Sequence, residues 1–139
     1  MTSYRSKVLA ASGWIELFHG SDIDNLQKLK KEITILTPEE KRHLPSTGLG
    51  KIGLSTTTDK NVAQRYSQVF GSRKIMKLFL KDSAKVFAID SKGQGIDETL
   101  TDDELLDLQA KGYDAVSDLT HDEKEYRLLN VKNISLRLP

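Results

Sequence analysis

Apolar positions along this chain come in short bursts separated by polar turns, and each burst predicts one element. The run Trp14-Ile15-Glu16-Leu17-Phe18 predicts a strand. Between positions 22 and 32, Ile23, Leu26 and Leu29 recur every three residues, a spacing that permits a short helix. Thr37-Pro38-Glu39-Glu40 reads as a helix start: a capping threonine, proline at the first helical position, and acids near the positive helix end. Gly48, Gly50 and Gly53 make the approach to a predicted strand at 54–57 flexible. Thr58-Asp59 then caps a predicted helix to about Phe70, with Val62, Tyr66 and Val69 on one face. Strands are predicted at 74–80 and 85–89. The next helix, 102–111, carries its own punctuation: Thr101 as N-cap, Glu104 three residues on, and Gly112 just past the end. Three strands close the chain at 113–117, 125–129 and 134–138. Several strands, a few short helices and no β–α–β rhythm predict an α+β fold with a mainly antiparallel sheet.

Length and charge narrow the picture. The 139 residues predict one domain, 1–139, large enough to bury a core, with 1–13 as an N-terminal extension or short helix. A net charge of +1 gives the molecule no general affinity for nucleic acid or an acidic membrane. Lys30, Lys31, Lys41 and Arg42 read as a solvated face, the alternative being a patch that steers an anionic ligand locally. The absence of cysteine excludes disulfides, thiolate metal sites and a cysteine nucleophile. The histidines, His19, His43 and His121, lack metal-ligand spacing, so no metal is expected. No stretch has the length of a signal peptide's apolar core or a membrane span, which predicts a cytoplasmic protein, in the producing or a host cell, or one exported by a route needing no such signal, with no membrane partner.

Candidate chemistry gathers at strand ends, in Phe18-His19-Gly20-Ser21, Gly53-Leu54-Ser55-Thr56-Thr57 and Glu123-Lys124-Glu125-Tyr126. In order and separation these segments resemble the ADP-ribosyltransferase superfamily, most closely the small catalytic domains of its poly(ADP-ribose) polymerase-like branch. His19-Gly20-Ser21 is similar to the family's opening motif. The stretch from Gly50 through Ser55 to Tyr66 is similar to its second motif, and Glu125-Tyr126 to the glutamate that opens its late strand. The resemblance runs from about Trp14 to Leu138. It implies a split, mainly antiparallel sheet, NAD as co-substrate and no metal.

The resemblance also implies roles. Breaking the nicotinamide–ribose bond creates an oxocarbenium-like centre, as in glycoside cleavage. Glu125 is implied to stabilise that developing charge and to hold a ribose hydroxyl. His19 is implied to bind a ribose hydroxyl, while the backbone of Gly20 pairs with the nicotinamide amide and Ser21 adds a hydroxyl. A glycine at that place would let the ligand approach the backbone. Ser55 and Thr56 fall in the second motif, and Tyr66 offers a flat face to the nicotinamide ring. Two departures are visible. Ser55 stands where the branch has tyrosine, and Leu-Ser-Thr-Thr resembles instead the Ser-Thr-Ser motif of arginine-modifying relatives. The pair Glu123 and Glu125 points the same way, the earlier acid orienting a target guanidinium, yet those relatives carry arginine where this chain has His19.

The resemblance therefore implies a mono-ADP-ribosyltransferase acting on a macromolecule, with a host protein as the expected target and nucleic acid less favoured. Small domains of this kind resemble the stand-alone transferases of bacteria and their phages, used as toxins or as blockers of host defence such as anti-CRISPR effectors. Two alternatives stay open: a binding module or inhibitor whose site has decayed, and an NAD glycohydrolase. Residues 34–53, apart from the helix start at Thr37, are expected to form a loop over the cleft that helps select the partner.

Overall fold

The structure, a computed structural model, describes residues 13–20, 26–33, 52–69, 74–120 and 122–137, and the elements are numbered over these. They are β1 (Trp14–His19), α1 (Leu26–Ile33), β2 (Leu54–Thr57), α2 (Lys60–Val69), β3 (Met76–Lys81), β4 (Val86–Ala88), α3 (Ile96–Thr99), α4 (Asp102–Ala110), β5 (Ala115–Asp118), β6 (Glu125–Leu128) and β7 (Ile134–Ser135). The strands form one open sheet in the order β4-β5-β6-β2-β1-β3-β7. The fold is α+β, and every neighbouring pair is antiparallel except β4 and β5. Residues 1–12 of the predicted extension at 1–13, the helix start at Thr37 and the loop over the cleft up to Lys51 lie outside the described residues.

Alternation along the strands divides the core in two. Ala115 and Leu128 join one cluster, with Leu17, Leu54, Leu78 and Leu80. Their chain neighbours Val116 and Leu129 join the other, with Ile52, Ile96, Leu105 and Leu108. That is the two-residue period of a sheet covered on both faces. Leu29 and Ile33, one helical turn apart on α1, complete the first cluster. The helices α3 and α4 complete the second.

Local chemistry explains the helix ends. Asp59 accepts from the Asn61 amide at 2.9 Å, which starts α2. At α4 the capping box is complete: Thr101 Oγ1 accepts from the Glu104 amide at 3.1 Å, and Glu104 Oε1 from the Thr101 amide at 3.0 Å. Gly112, at φ +87°, ends the turn after α4 in a conformation that favours glycine.

The structure corrects one topological expectation. The strands β4 and β5 run parallel, in register from Val86↔Ala115 to Ala88↔Ser117, with α3 and α4 between them in the chain. This is a single helical crossover, which a parallel pair requires. Its first helix, α3, has only four residues, too short to show a helical period in the sequence.

The join between β1 and β2 positions the candidate site. β1 meets β3 over six register pairs and β2 meets β6 over four. Among the described residues β1 and β2 share one, Phe18↔Thr57. The sheet is thus two ladders joined at a narrow seam, and the sequence motifs flank it.

Candidate active site

Register places the motif residues before any side chain is considered. One cross-strand row runs Lys77, Phe18, Thr57, Glu125, Asp118 through β3, β1, β2, β6 and β5. The next row on the same face contains Ser55, Arg127 and Val116. His19 follows Phe18 and Thr56 precedes Thr57, so the pleat turns these two toward the other face, with Tyr126 opposite Thr56. The structure therefore brings Glu125 together with Thr57 and Ser55 on one face. It places His19 and Thr56 on the opposite face at the same seam.

His19 itself spans that seam. Its Nδ1 lies 2.6 Å from the Ser55 carbonyl oxygen. A carbonyl can only accept, so Nδ1 carries the proton and donates. The ring N–H donates from β1 to the backbone of β2 and so adds a bond across the narrow seam. This contact also fixes the orientation of the imidazole.

Gly20 has a packing reason that the sequence did not reveal. A Cβ placed there would meet the Ala63 carbonyl oxygen at 2.7 Å and the Ser67 amide nitrogen at 2.9 Å, both on the backbone of α2. The room beside Gly20 is taken by that helix. Its close approach to the end of β1 requires the glycine, whatever its backbone groups bind. Ser21 lies outside the described residues, and Tyr66 sits on α2 with its side chain outside the description.

On the other face Glu125 is held by Arg127. The Arg127 Nε–H donates to Glu125 Oε2 at 2.7 Å, Nη1 to the Ile52 carbonyl at 3.2 Å, and Nη2 to Asp97 Oδ2 at 3.1 Å. Side-chain exposure falls from 40% at Asp97 to 14% at Glu125 and 3% at Arg127. Burial alone would lower the pKa of the guanidinium. The charges and hydrogen bonds of Glu125 and Asp97 more than offset this and hold it above its ordinary value. The clamp therefore joins β6, the turn before β2 and α3 through one permanently charged group.

That turn is itself tightly specified. Gly53 has φ +76°, and a Cβ there would meet the Leu128 carbonyl at 2.5 Å and Arg127 Cγ at 3.1 Å. The glycine lets the backbone before β2 pass directly over Arg127.

The segment before Glu125 is laced to β2. Thr57 Oγ1 donates to the Glu123 carbonyl at 2.5 Å and accepts from the Asp59 amide at 3.0 Å. Thr56 Oγ1 donates to the Tyr126 carbonyl at 2.7 Å. Burial pushes the Tyr126 phenol above its ordinary pKa. Glu123 enters the site through its backbone, and Lys124 after it turns with φ +50°.

A second carboxylate, absent from the expected site, stands opposite Glu125. Asp118 is fully buried. Its Oδ2 accepts from Ser91 Oγ at 2.5 Å, and its Oδ1 from Thr120 Oγ1 at 2.6 Å and the Thr120 amide at 3.1 Å. Burial raises its pKa, but these donors prevail and hold it below the ordinary carboxylate value. No sequence motif marked Asp118 or Asp97. The available signals were an aspartate just past a predicted strand and an acid pair before a helix cap, both common on surfaces.

Among the described residues no group of three His, Cys, Asp or Glu side chains is arranged to hold a metal ion. Nor is any described helix long and apolar enough to cross a membrane. The donor and acceptor types that ribose hydroxyls take are present, a carboxylate on one face of the seam and an oriented imidazole on the other. Compared with protein-family models, curated proteins and solved structures, the chain matches none.

Proposed function

We propose that the chain is a mono-ADP-ribosyltransferase that cleaves the nicotinamide–ribose bond of NAD and transfers ADP-ribose to a macromolecule, with Glu125 as its central catalytic residue. The observation that carries this reading is the state of the Glu125 carboxylate. Among the described residues its one donor is Arg127 Nε–H, on Oε2, so Oε1 keeps acceptor capacity on a partly exposed side chain at the seam. A fixed, partly open carboxylate is what a developing positive charge on ribose needs.

In this reading the bond from the ribose anomeric carbon to nicotinamide breaks, and nicotinamide leaves with the electron pair. The target's nucleophile supplies a new pair to the same carbon and loses its proton. Glu125 stabilises the positive charge between those events. His19 holds a ribose hydroxyl with the imidazole that Ser55 orients. Ser21, Ser55, Thr56 and Tyr66 are the further nucleotide-binding residues of this reading, and Glu123 is the acid that orients the target. A host protein is the expected acceptor, and a cytoplasmic toxin or anti-defence effector is the biological role in keeping with so small a domain.

A second reading is a binding module that keeps this fold without turnover. One observation favours it: both sheet faces at the seam are already braced, Glu125 by Arg127 and His19 by Ser55. Nicotinamide release from NAD, with and without host lysate, separates the two. Release and protein labelling that Glu125→Gln abolishes support the transferase. Equal release in buffer with no labelled partner supports the glycohydrolase, and no release supports the binding module.

A further inference from the structure

Resting on the transferase reading, we propose that Arg127 is the positioning residue for Glu125 and that Asp97 balances its charge. All three guanidinium nitrogens are committed, to Glu125, to the Ile52 backbone and to Asp97. Because the guanidinium is planar, fixing two of its edges fixes the third. The Glu125 carboxylate is thereby set relative to the turn before β2 and to α3, elements distant in sequence. Arg127 lies beneath the site with 3% of its side chain exposed and acts on substrate only through Glu125.

The charge balance gives Asp97 a role of its own. Glu125 and Arg127 alone form a neutral pair, a poor neighbour for a centre that is becoming positive. Asp97 adds a second negative charge on the guanidinium's far edge, so the triad carries a net charge of −1. The carboxylate facing the ribose is then less offset by the arginine behind it. A purely structural ion pair would need only one of the two acids.

Asp97 also makes the cleaner test, because its side chain is 40% exposed and its loss leaves Glu125 to pair Arg127. The experiment measures kcat and KM for NAD, by nicotinamide release in host lysate, for wild type, Asp97→Asn, Arg127→Lys and the control Glu98→Gln, with thermal unfolding of each. Lysine keeps the charge but loses the fork, so Arg127→Lys is expected to lower kcat by about 10- to 100-fold. Asp97→Asn is expected to lower kcat by about 3- to 10-fold, with KM within about twofold, an unchanged Tm and Glu98→Gln like wild type.

An active wild type with Asp97→Asn matching Glu98→Gln would overturn the inference and leave the transferase reading standing. A change in KM alone would overturn it too, by moving Asp97 from positioning to binding. A folded wild type that releases no nicotinamide would remove both the reading and the inference.

Discussion

Asp118 and Glu125 face each other across β5 and β6, yet their surroundings differ in kind. Asp118 is sealed: three donors from Ser91 and Thr120 occupy it, and none of its surface reaches solvent. Ser91 in turn accepts from the Gly95 amide at 2.9 Å, so the network ties the start of α3 to β5. Glu125 is held by a single arginine donor among the described residues and remains partly exposed. Two carboxylates in one row thus differ in what they leave open. One is closed within the structure, and the other keeps an acceptor oxygen without a donor among the described residues. What separates them is the donor set, hydroxyls and an amide against a charged fork.

The contrast sharpens most where the sealed carboxylate is removed. Asp118→Ala strands three donors in the interior and is expected to cost about 4 kcal/mol in urea unfolding at pH 7. A loss below about 1 kcal/mol would show that the network is not closed.

Next in size is Gly53→Ala, at the backbone crossing over Arg127. The strained φ and the Leu128 contact predict a cost of about 3 kcal/mol. That variant should also lower NAD turnover through the displaced Arg127.

Acid titration distinguishes the two sites differently. The pKa of Asp118 is lower folded than unfolded, so its stabilisation is complete above the ordinary value of 3.8 and is lost as pH falls through the depressed folded value. The acid limb of the unfolding free energy should therefore flatten in Asp118→Ala. An unchanged limb would contradict the sealed network.

Smaller effects come from the seam. Thr57→Val loses the hydroxyl that bridges Glu123 and Asp59 and is expected to cost about 1.5 kcal/mol in urea unfolding. The smallest change is expected at Glu125 itself. Glu125→Gln keeps an acceptor for Arg127 Nε while Asp97 still balances the guanidinium, so about 1 kcal/mol or less should be lost. Stability thus ranks the two carboxylates in the reverse of their expected effects on turnover.

How far the sequence could be read varied with the range of the interactions. Leu54–Thr57 as a strand and the Thr101–Glu104 capping box were legible because each is written in adjacent residues. The antiparallel sheet followed from the strand pattern, but the parallel β4–β5 pair did not, because pairing partners nearly 30 positions apart leave no local mark. The motif positions flanking the seam were legible as a constellation. Their division between two faces was not, since that needs the register Phe18↔Thr57↔Glu125. Arg127 read as one charged residue on a strand, and only the fold shows it buried between Glu125 and Asp97. Gly20 was read as room for a ligand, whereas α2 fills that room. Short-range chemistry is encoded locally; burial and charge pairing emerge from the assembled sheet.

In the proposed function the protein turns over NAD through its partly open carboxylate, Glu125. The most direct measurement is nicotinamide release by the purified protein and by Glu125→Gln, in buffer and in host lysate, beside thermal unfolding of both. Release and a labelled protein are expected with the wild type in lysate, with a fall of about 100- to 1,000-fold in Glu125→Gln and nearly equal unfolding temperatures. Release unchanged by Glu125→Gln, or none from a folded wild type in either medium, would contradict the proposed function.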